Sequence, residues 1–175
     1  MKILLLGNTG QLGWELQRCL PPLGDVRGLD YPQIDLANPE TLRDVIRTYK
    51  PDTIVNATAY TAVDVAESKS ELAFAINAKA TAVMAEEAKL SNAVMVHYST
   101  DYVFDGAKGS AYTEADATNP LNVYGASKLA GEQVVQAAGG AHLIFRTAWV
   151  YSLRRDSFVT KTLQWARQHE TLRLV

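Results

Sequence analysis

The sequence predicts an α/β protein built on a doubly wound parallel sheet. Short apolar runs alternate with helical segments along the whole chain, and a βαβαβ order of this kind requires crossover helices on both faces of a sheet. Residues 3–6 are continuously apolar, as in a strand that is buried on both faces. A glycine-rich turn follows that strand and opens a helix. Together these features are typical of a Rossmann-type domain.

Each element follows from a local pattern. Apolar or β-branched runs predict strands, and helical character ended by proline or glycine predicts helices. The Asn38-Pro39 pair predicts a helix that Asn38 caps, with Pro39 at its first position. The predicted strands are 2–6, 25–29, 53–56, 93–99 and 142–147, with another starting at 172–175. The predicted helices are 11–20, 39–49, 70–90, 121–138 and 158–169.

Composition narrows the functional class. The 175 residues are 47% hydrophobic and 21% charged with a net charge of −2, which suits one globular domain and gives no electrostatic footprint for nucleic acid. The first apolar run is too short for a membrane span, and Gly7 interrupts it too early for a secretory signal. The single cysteine, Cys19, excludes an internal disulfide. We therefore expect a cytoplasmic protein without nucleic-acid or membrane partners.

The glycine-rich turn predicts a dinucleotide site. Its spacing is Gly7-x-x-Gly10-x-x-Gly13. The first glycine permits a tight turn, the second lets backbone approach a pyrophosphate, and the third lets helix and strand pack closely. Backbone N–H groups and the positive end of the following helix would hold the phosphates. A glycine-rich turn without a ligand remains the alternative.

Two acids follow the second predicted strand. Asp30 is placed to bind the adenosine ribose hydroxyls, and its charge would repel a 2′-phosphate, which favours NADH over NADPH. Asp35 and Leu36 would flank the adenine. The alternatives are a turn residue at Asp30 and a helix-start acid at Asp35.

A phenol and an ammonium stand four residues apart at Tyr124 and Lys128. On a helix they share one face, and the ammonium favours the phenolate, which predicts an acid–base catalyst. Thr100 ends the fourth predicted strand, where ligands of parallel sheets bind, and its hydroxyl suits a substrate carbonyl. An exposed helix pair and a simple strand end are the alternatives.

These motifs resemble a known family. The glycine turn, the segment Tyr98–Phe104 and Tyr124-x-x-x-Lys128 resemble the extended short-chain dehydrogenase/reductases. Within them, the sequence looks like the dTDP-4-dehydrorhamnose reductase family in residues 11–16, 56–64, 99–106 and 120–125.

The resemblance implies an activity and a set of site residues. The reaction would reduce the 4-keto group of dTDP-4-dehydro-L-rhamnose to dTDP-L-rhamnose, for cell-surface polysaccharide, with NADPH or NADH. Tyr124 would donate the proton, Lys128 would lower its pKa and bind ribose, and Thr100 would hold the keto oxygen. Asp101 and Trp149 would contact the sugar nucleotide. The residues that would contact the cofactor are Gly10, Gln11, Leu12, Asp30, Asp35, Leu36, Ala59, Tyr60, Thr61 and Tyr98.

The resemblance also implies a partner and a larger protein. Glu15 matches a residue that helps hold Mg²⁺ at a homodimer interface in some members, although a solvated acid is the simpler reading. Members carry a carboxyl-terminal substrate domain, so we expect residues 1–175 to be the NAD(P)-binding domain of a longer chain. Such a domain would bind dinucleotide and turn over little dTDP-sugar.

Other functions stay open. A non-catalytic, NADP-binding regulatory subunit is one, although it need not keep Thr100, Tyr124 and Lys128. Another sugar-nucleotide reductase or an epimerase is a second. A dehydratase is disfavoured because Tyr102, rather than a glutamate, follows Asp101.

Overall fold

The central sheet confirms the predicted fold class. A computed structural model describes residues 1–152 and 154–172. Five parallel strands lie in the order β2-β1-β3-β4-β5. Their bounds are β1 Lys2–Leu6, β2 Asp25–Leu29, β3 Thr53–Asn56, β4 Val94–Thr100 and β5 His142–Thr147. Four match the prediction at both ends, and β4 lies one residue further along the chain. Residues 173–175, on which most of the predicted sixth strand falls, lie outside the described residues.

The helices differ more from the prediction. They are α1 Gln11–Cys19, α2 Glu40–Tyr49, α3 Val63–Ser68, α4 Ser70–Phe74, α5 Ala80–Ser91, α6 Val123–Ala138 and α7 Phe158–Ala166. The long predicted helix is α4 and α5 joined by a π turn, Ala75–Lys79, and α3 was not predicted. The Asn38 cap is wrong, because Pro39 precedes α2 without any side-chain cap. Among the helices of residues 1–152 and 154–172, none combines the length and apolar character needed to cross a bilayer.

The core has two layers because alternate residues of β1 face opposite sides of the sheet. Leu4 and Leu6 pack in the cluster that includes Ile46 of α2 and Met84 of α5. Ile3 and Leu5 pack on the other face, with Leu16 of α1. Burial on both faces explains the continuous apolar run, and each such side chain stabilises the fold by about 1.5–3 kcal/mol.

The strand order predicts where a binding crevice lies in the sheet. The chain passes from β1 to β2 on one side and to β3 on the other, so the order reverses between β1 and β3. In an open parallel sheet, ligands bind outside the carboxyl ends of the strands at such a point. Gly7 and Ala57, which directly follow β1 and β3, lie at this edge.

Candidate active site

The glycine turn has the geometry that its spacing predicts. Gly7 has φ +84°, a left-handed conformation that favours glycine, and its N–H donates to the Leu29 carbonyl at 2.8 Å. A Cβ on Gly13 would lie 2.0 Å from the Gly7 carbonyl oxygen, so helix and turn are packed too closely for a side chain. Gly10 caps α1 in an extended conformation without a side-chain hydrogen bond. The first-turn N–H groups of α1 are therefore not claimed by a capping side chain.

One cavity of about 940 Å³ extends from this turn to the carboxyl end of β4. That volume is in the range of small-molecule sites. Gly13 is packed beneath the turn, but every other residue predicted to bind cofactor or substrate, or to act in catalysis, lines the cavity. They are Gly7, Gly10, Gln11, Leu12, Asp30, Asp35, Leu36, Ala59, Tyr60, Thr61, Tyr98, Thr100, Asp101, Tyr124, Lys128 and Trp149. The individual roles of these residues stay predictions.

At one end of the cavity, the Asp30 carboxylate is held by the turn itself. It accepts hydrogen bonds from the Thr9 hydroxyl at 2.6 Å, the Thr9 N–H at 3.2 Å and the Tyr31 N–H at 2.8 Å. These bonds fix both carboxylate oxygens in place. A negative charge therefore sits at a defined position beside the glycine turn.

At the other end of the cavity, Tyr124 lies beside the short turn that follows β4. The Thr100 hydroxyl donates to the Asp101 carboxylate at 3.1 Å and accepts from the Tyr102 N–H at 3.2 Å. The rings of Tyr102 and Tyr124 meet edge to face, with centroids 5.6 Å apart. The short turn after β4 thus brings a hydroxyl, a carboxylate and a phenol together.

The pKa of Tyr124 is shifted in the direction opposite to the expected one. Burial, the largest cause, raises the pKa of this phenol, while the nearby Thr100 hydroxyl acts to lower it. Loss of hydration penalises the phenolate, so burial sets the direction of the shift, and a lowering of this pKa by Lys128 stays a prediction. A raised pKa keeps the phenol protonated near neutral pH, which is the form that can donate a proton.

Lys128 is among the most deeply buried side chains of α6. It is 2% exposed, and its ammonium donates to the Tyr98 carbonyl at 2.6 Å. Burial lowers the pKa of Lys128 to about 8, although the charge of Glu132 acts in the opposite direction. Near neutral pH the lysine is thus mostly charged, and the Tyr98 carbonyl and the charge of Glu132 stabilise it there.

Sequence reasoning missed Asn77, which joins two walls of the cavity. It lies in the π turn, and its amide accepts from the Tyr60 N–H at 2.8 Å and donates to the Tyr60 carbonyl at 3.2 Å and the Ser127 hydroxyl at 2.9 Å. Ser127 directly precedes Lys128 on α6. An asparagine within an alanine-rich helix was the available signal, since such a buried amide needs partners.

The segment between β5 and α7 supplies three more lining residues that the sequence did not single out, Val150, Arg155 and Asp156. Nothing in their local pattern points to the cavity. Glu15 lies apart, in a second depression beside Trp14 and Arg18. Within residues 1–152 and 154–172, no three His, Cys, Asp or Glu side chains gather as metal ligands. A Mg²⁺ site at Glu15 and a homodimer stay predictions.

The family described as the RmlD substrate binding domain matches residues 1–175. The chain belongs to this family. A curated relative, the dTDP-4-dehydrorhamnose reductase of Burkholderia thailandensis, is 49% identical over 175 residues, which are 100% of this chain and 59% of the relative.

Solved structures of RmlD-family proteins have the same fold. A dTDP-4-dehydrorhamnose reductase from Clostridium acetobutylicum matches with a TM-score of 0.94 and 38% identity, over 98% of this chain and 61% of that one. The enzyme from Bacillus anthracis, solved in complex with NADP, matches with a TM-score of 0.92 and 36% identity, over 96% and 60%. This chain therefore spans about three fifths of the length of its relatives.

Proposed function

We propose that this chain forms the dinucleotide-binding and proton-donating part of an NAD(P)H-dependent reductase. The substrate is dTDP-4-dehydro-L-rhamnose and the product is dTDP-L-rhamnose. One observation carries the proposal: a single cavity joins the glycine turn at the start of α1 to Thr100, Tyr124 and Lys128 at the carboxyl end of β4. The similarity to reductases of this substrate supports the choice of substrate.

The residues along the cavity fit an extended dinucleotide. The uncapped N-terminus of α1 suits the pyrophosphate, since its N–H groups and helix dipole attract anions. Asp30 suits the adenosine ribose, Asp35 and Leu36 the adenine, and Lys128 the nicotinamide ribose. When bound, the reduced nicotinamide supplies the hydride. The NADP complex of the Bacillus anthracis relative favours NADPH as the cofactor.

The chemistry at β4 follows from the hydroxyls of this chain. The keto carbon receives the hydride, and its oxygen takes a proton from the Tyr124 phenol, which burial keeps protonated. The Thr100 hydroxyl turns from Asp101 to the keto oxygen and stabilises the charge that develops there. A positioned general acid contributes roughly 10²–10⁴-fold. Asp101 and Trp149 contact the sugar.

A binding and turnover experiment tests the proposal. NADPH and NADH are titrated into the chain, with binding measured by calorimetry. Turnover is then measured at 340 nm in a chimera, in which residues 1–175 replace the matching segment of the Burkholderia thailandensis relative. We expect micromolar dinucleotide binding by the chain, which corresponds to about 8 kcal/mol, and consumption of NADPH with dTDP-4-dehydrorhamnose by the chimera.

The same experiment separates the other candidate functions. A regulatory subunit would bind dinucleotide, but the chimera that contains it would not consume NADPH. An epimerase would interconvert sugar nucleotides without net oxidation of NADPH. A chain that binds neither cofactor would contradict the whole proposal.

A further inference from the structure

A long-range hydrogen bond ties the glycine turn to the opposite wall of the cavity. The side-chain amide of Gln11, the first residue of α1, donates to the Val150 carbonyl at 2.5 Å. The two residues are 139 positions apart. Both line the cavity, so the bond connects the end that faces the anion site to the wall that carries Trp149.

The segment that Gln11 holds, residues 148–152, places Trp149 in an unusual conformation. Trp149 has φ +51°, a left-handed conformation that an L residue of this size rarely adopts. Its indole is 72% exposed, and its ring packs edge to face on Phe158 with centroids 5.0 Å apart. A strained and exposed side chain keeps one position only where neighbouring contacts hold its backbone, and the Val150 carbonyl is the next backbone acceptor along the chain.

A second contact joins the same helix to the chain beyond this segment. The Arg154 guanidinium lies 4.2 Å from the centroid of the Trp14 ring, and Trp14 is on α1. Helix α1 therefore contacts the chain at Val150 and at Arg154. Only the Gln11 contact arises in the first turn of the helix, where an anion would bind.

We propose that Gln11 is a positioning residue that couples dinucleotide binding to the Trp149 segment. This inference rests on the proposed function, because it requires a pyrophosphate at the N-terminus of α1. Binding there immobilises the backbone of Gln11, which reduces the entropy that its side chain loses on bonding to Val150. The occupied site then holds Trp149 in place for the sugar. By linkage, the held segment strengthens dinucleotide binding by the same factor.

Trypsin provides a readout beside the segment, because Arg154 and Arg155 are exposed. Cleavage after these two residues is followed by mass spectrometry, with and without saturating NADP⁺. The variant Gln11→Met keeps the length and charge of the side chain and removes its donor. Gln133→Met, at an exposed position of α6, is the matched control. If Gln11→Met does not fold, Gln11→Asn, whose amide is one methylene shorter, replaces it.

We expect NADP⁺ to protect the wild-type chain and Gln133→Met equally and to protect Gln11→Met about two- to tenfold less, the factor that corresponds to one hydrogen bond. The affinity of Gln11→Met for NADP⁺ should fall by the same factor. Any direct shielding of Arg155 by the dinucleotide is equal in all three proteins. The informative quantity is therefore the difference in protection between Gln11→Met and the other two. Equal protection in all three, with NADP⁺ bound, overturns this inference alone. Failure of the wild-type chain to bind either NADP⁺ or NAD⁺ overturns the proposed function as well.

Discussion

The ammonium of Lys128 donates to the Tyr98 carbonyl at 2.6 Å and so fastens α6 to the carboxyl end of β4. The negative charge of Glu132, one helical turn away, also stabilises the ammonium and raises the pKa of Lys128. Glu132 is itself held by Arg146 at 2.7 and 2.9 Å. Burial therefore dominates, and the pKa of Lys128 falls to about 8.

This shift predicts a pH dependence of stability. The pKa of Lys128 is about 8 in the folded chain against an ordinary 10.5, so between these values the unfolded chain binds more protons. The contribution of Lys128 to the free energy of unfolding should then rise with pH from about 8 to 10.5, by at most about 3 kcal/mol. Below pH 8 the lysine is charged in both states, and the full cost of burial remains.

Urea unfolding from pH 7 to 10 measures this effect as the difference between wild type and Lys128→Met. Lys89→Met is the matched control, because Lys89 also donates to a carbonyl, at Gly139, but is exposed. We expect the difference for Lys128→Met to change with pH more steeply than the difference for Lys89→Met. Parallel curves for the two variants would show that Lys128 is hydrated.

Removal of the Tyr124 hydroxyl should abolish most turnover. Tyr124→Phe keeps the packing against Tyr102 and loses only the proton donor, so the turnover number of the chimera should fall roughly 10²–10⁴-fold. Dinucleotide affinity should change little. Tyr151→Phe, at a position 68% exposed, serves as the control. Normal turnover of Tyr124→Phe would assign the proton donor elsewhere.

Two glycines of the turn should respond differently to alanine. A Cβ on Gly13 would lie 2.0 Å from the Gly7 carbonyl oxygen, while one on Gly10 would lie 3.2 Å from the same atom. We expect Gly13→Ala to lower the free energy of unfolding by about 1–3 kcal/mol or more, and Gly10→Ala by about 1 kcal/mol or less. Gly10→Ala should instead weaken NADPH binding, because Gly10 lines the cavity. Calorimetry and urea unfolding on both variants separate the two effects, and equal losses of stability would contradict this packing.

The charge of Asp30 should set the preference between the two cofactors. Asp30→Asn removes the charge and keeps the shape of the side chain. The ratio of the NADPH and NADH dissociation constants should therefore shift about tenfold toward NADPH relative to wild type, the effect of removing roughly 1.4 kcal/mol of repulsion. Asp35→Asn, which also lines the cavity, is the control and should change the ratio less. The ratio of the two dissociation constants is the measurement. An unchanged ratio in Asp30→Asn would place the 2′-phosphate away from this carboxylate.

Loss of the Asn77 amide should cost more stability than loss of an exposed one. Asn77→Ala leaves both polar groups of the Tyr60 backbone and the Ser127 hydroxyl without this partner, so we expect a loss of about 2–4 kcal/mol in the free energy of unfolding. Asn119→Ala, which removes one exposed bond to Asp105, should cost about 1 kcal/mol or less. Similar costs for both variants would indicate that water replaces the Asn77 contacts.

Much of the site could be read from the sequence because its residues follow strand ends. The continuous apolar run of β1 marks a central parallel strand, and the glycines after it mark a turn into a helix. Thr100, at the end of β4, then had to reach the same edge of the sheet as Gly7, since parallel strands share their carboxyl edge. Tyr124 and Lys128 had to share one face of α6 because they are four residues apart.

The amino-acid pattern alone therefore predicted the fold class, the five described strands and the meeting of Gly7 and Thr100 at one edge of the sheet, because burial periodicity and turn chemistry act over a few neighbouring residues. The direction of the Tyr124 pKa shift, the partners of Asn77 and the bond from Gln11 to Val150 follow instead from the packed fold. These depend on groups between 17 and 139 residues apart. The burial of the Tyr124 phenol depends on every segment that packs around it, and most of these segments are distant in the sequence, so no local pattern predicts it.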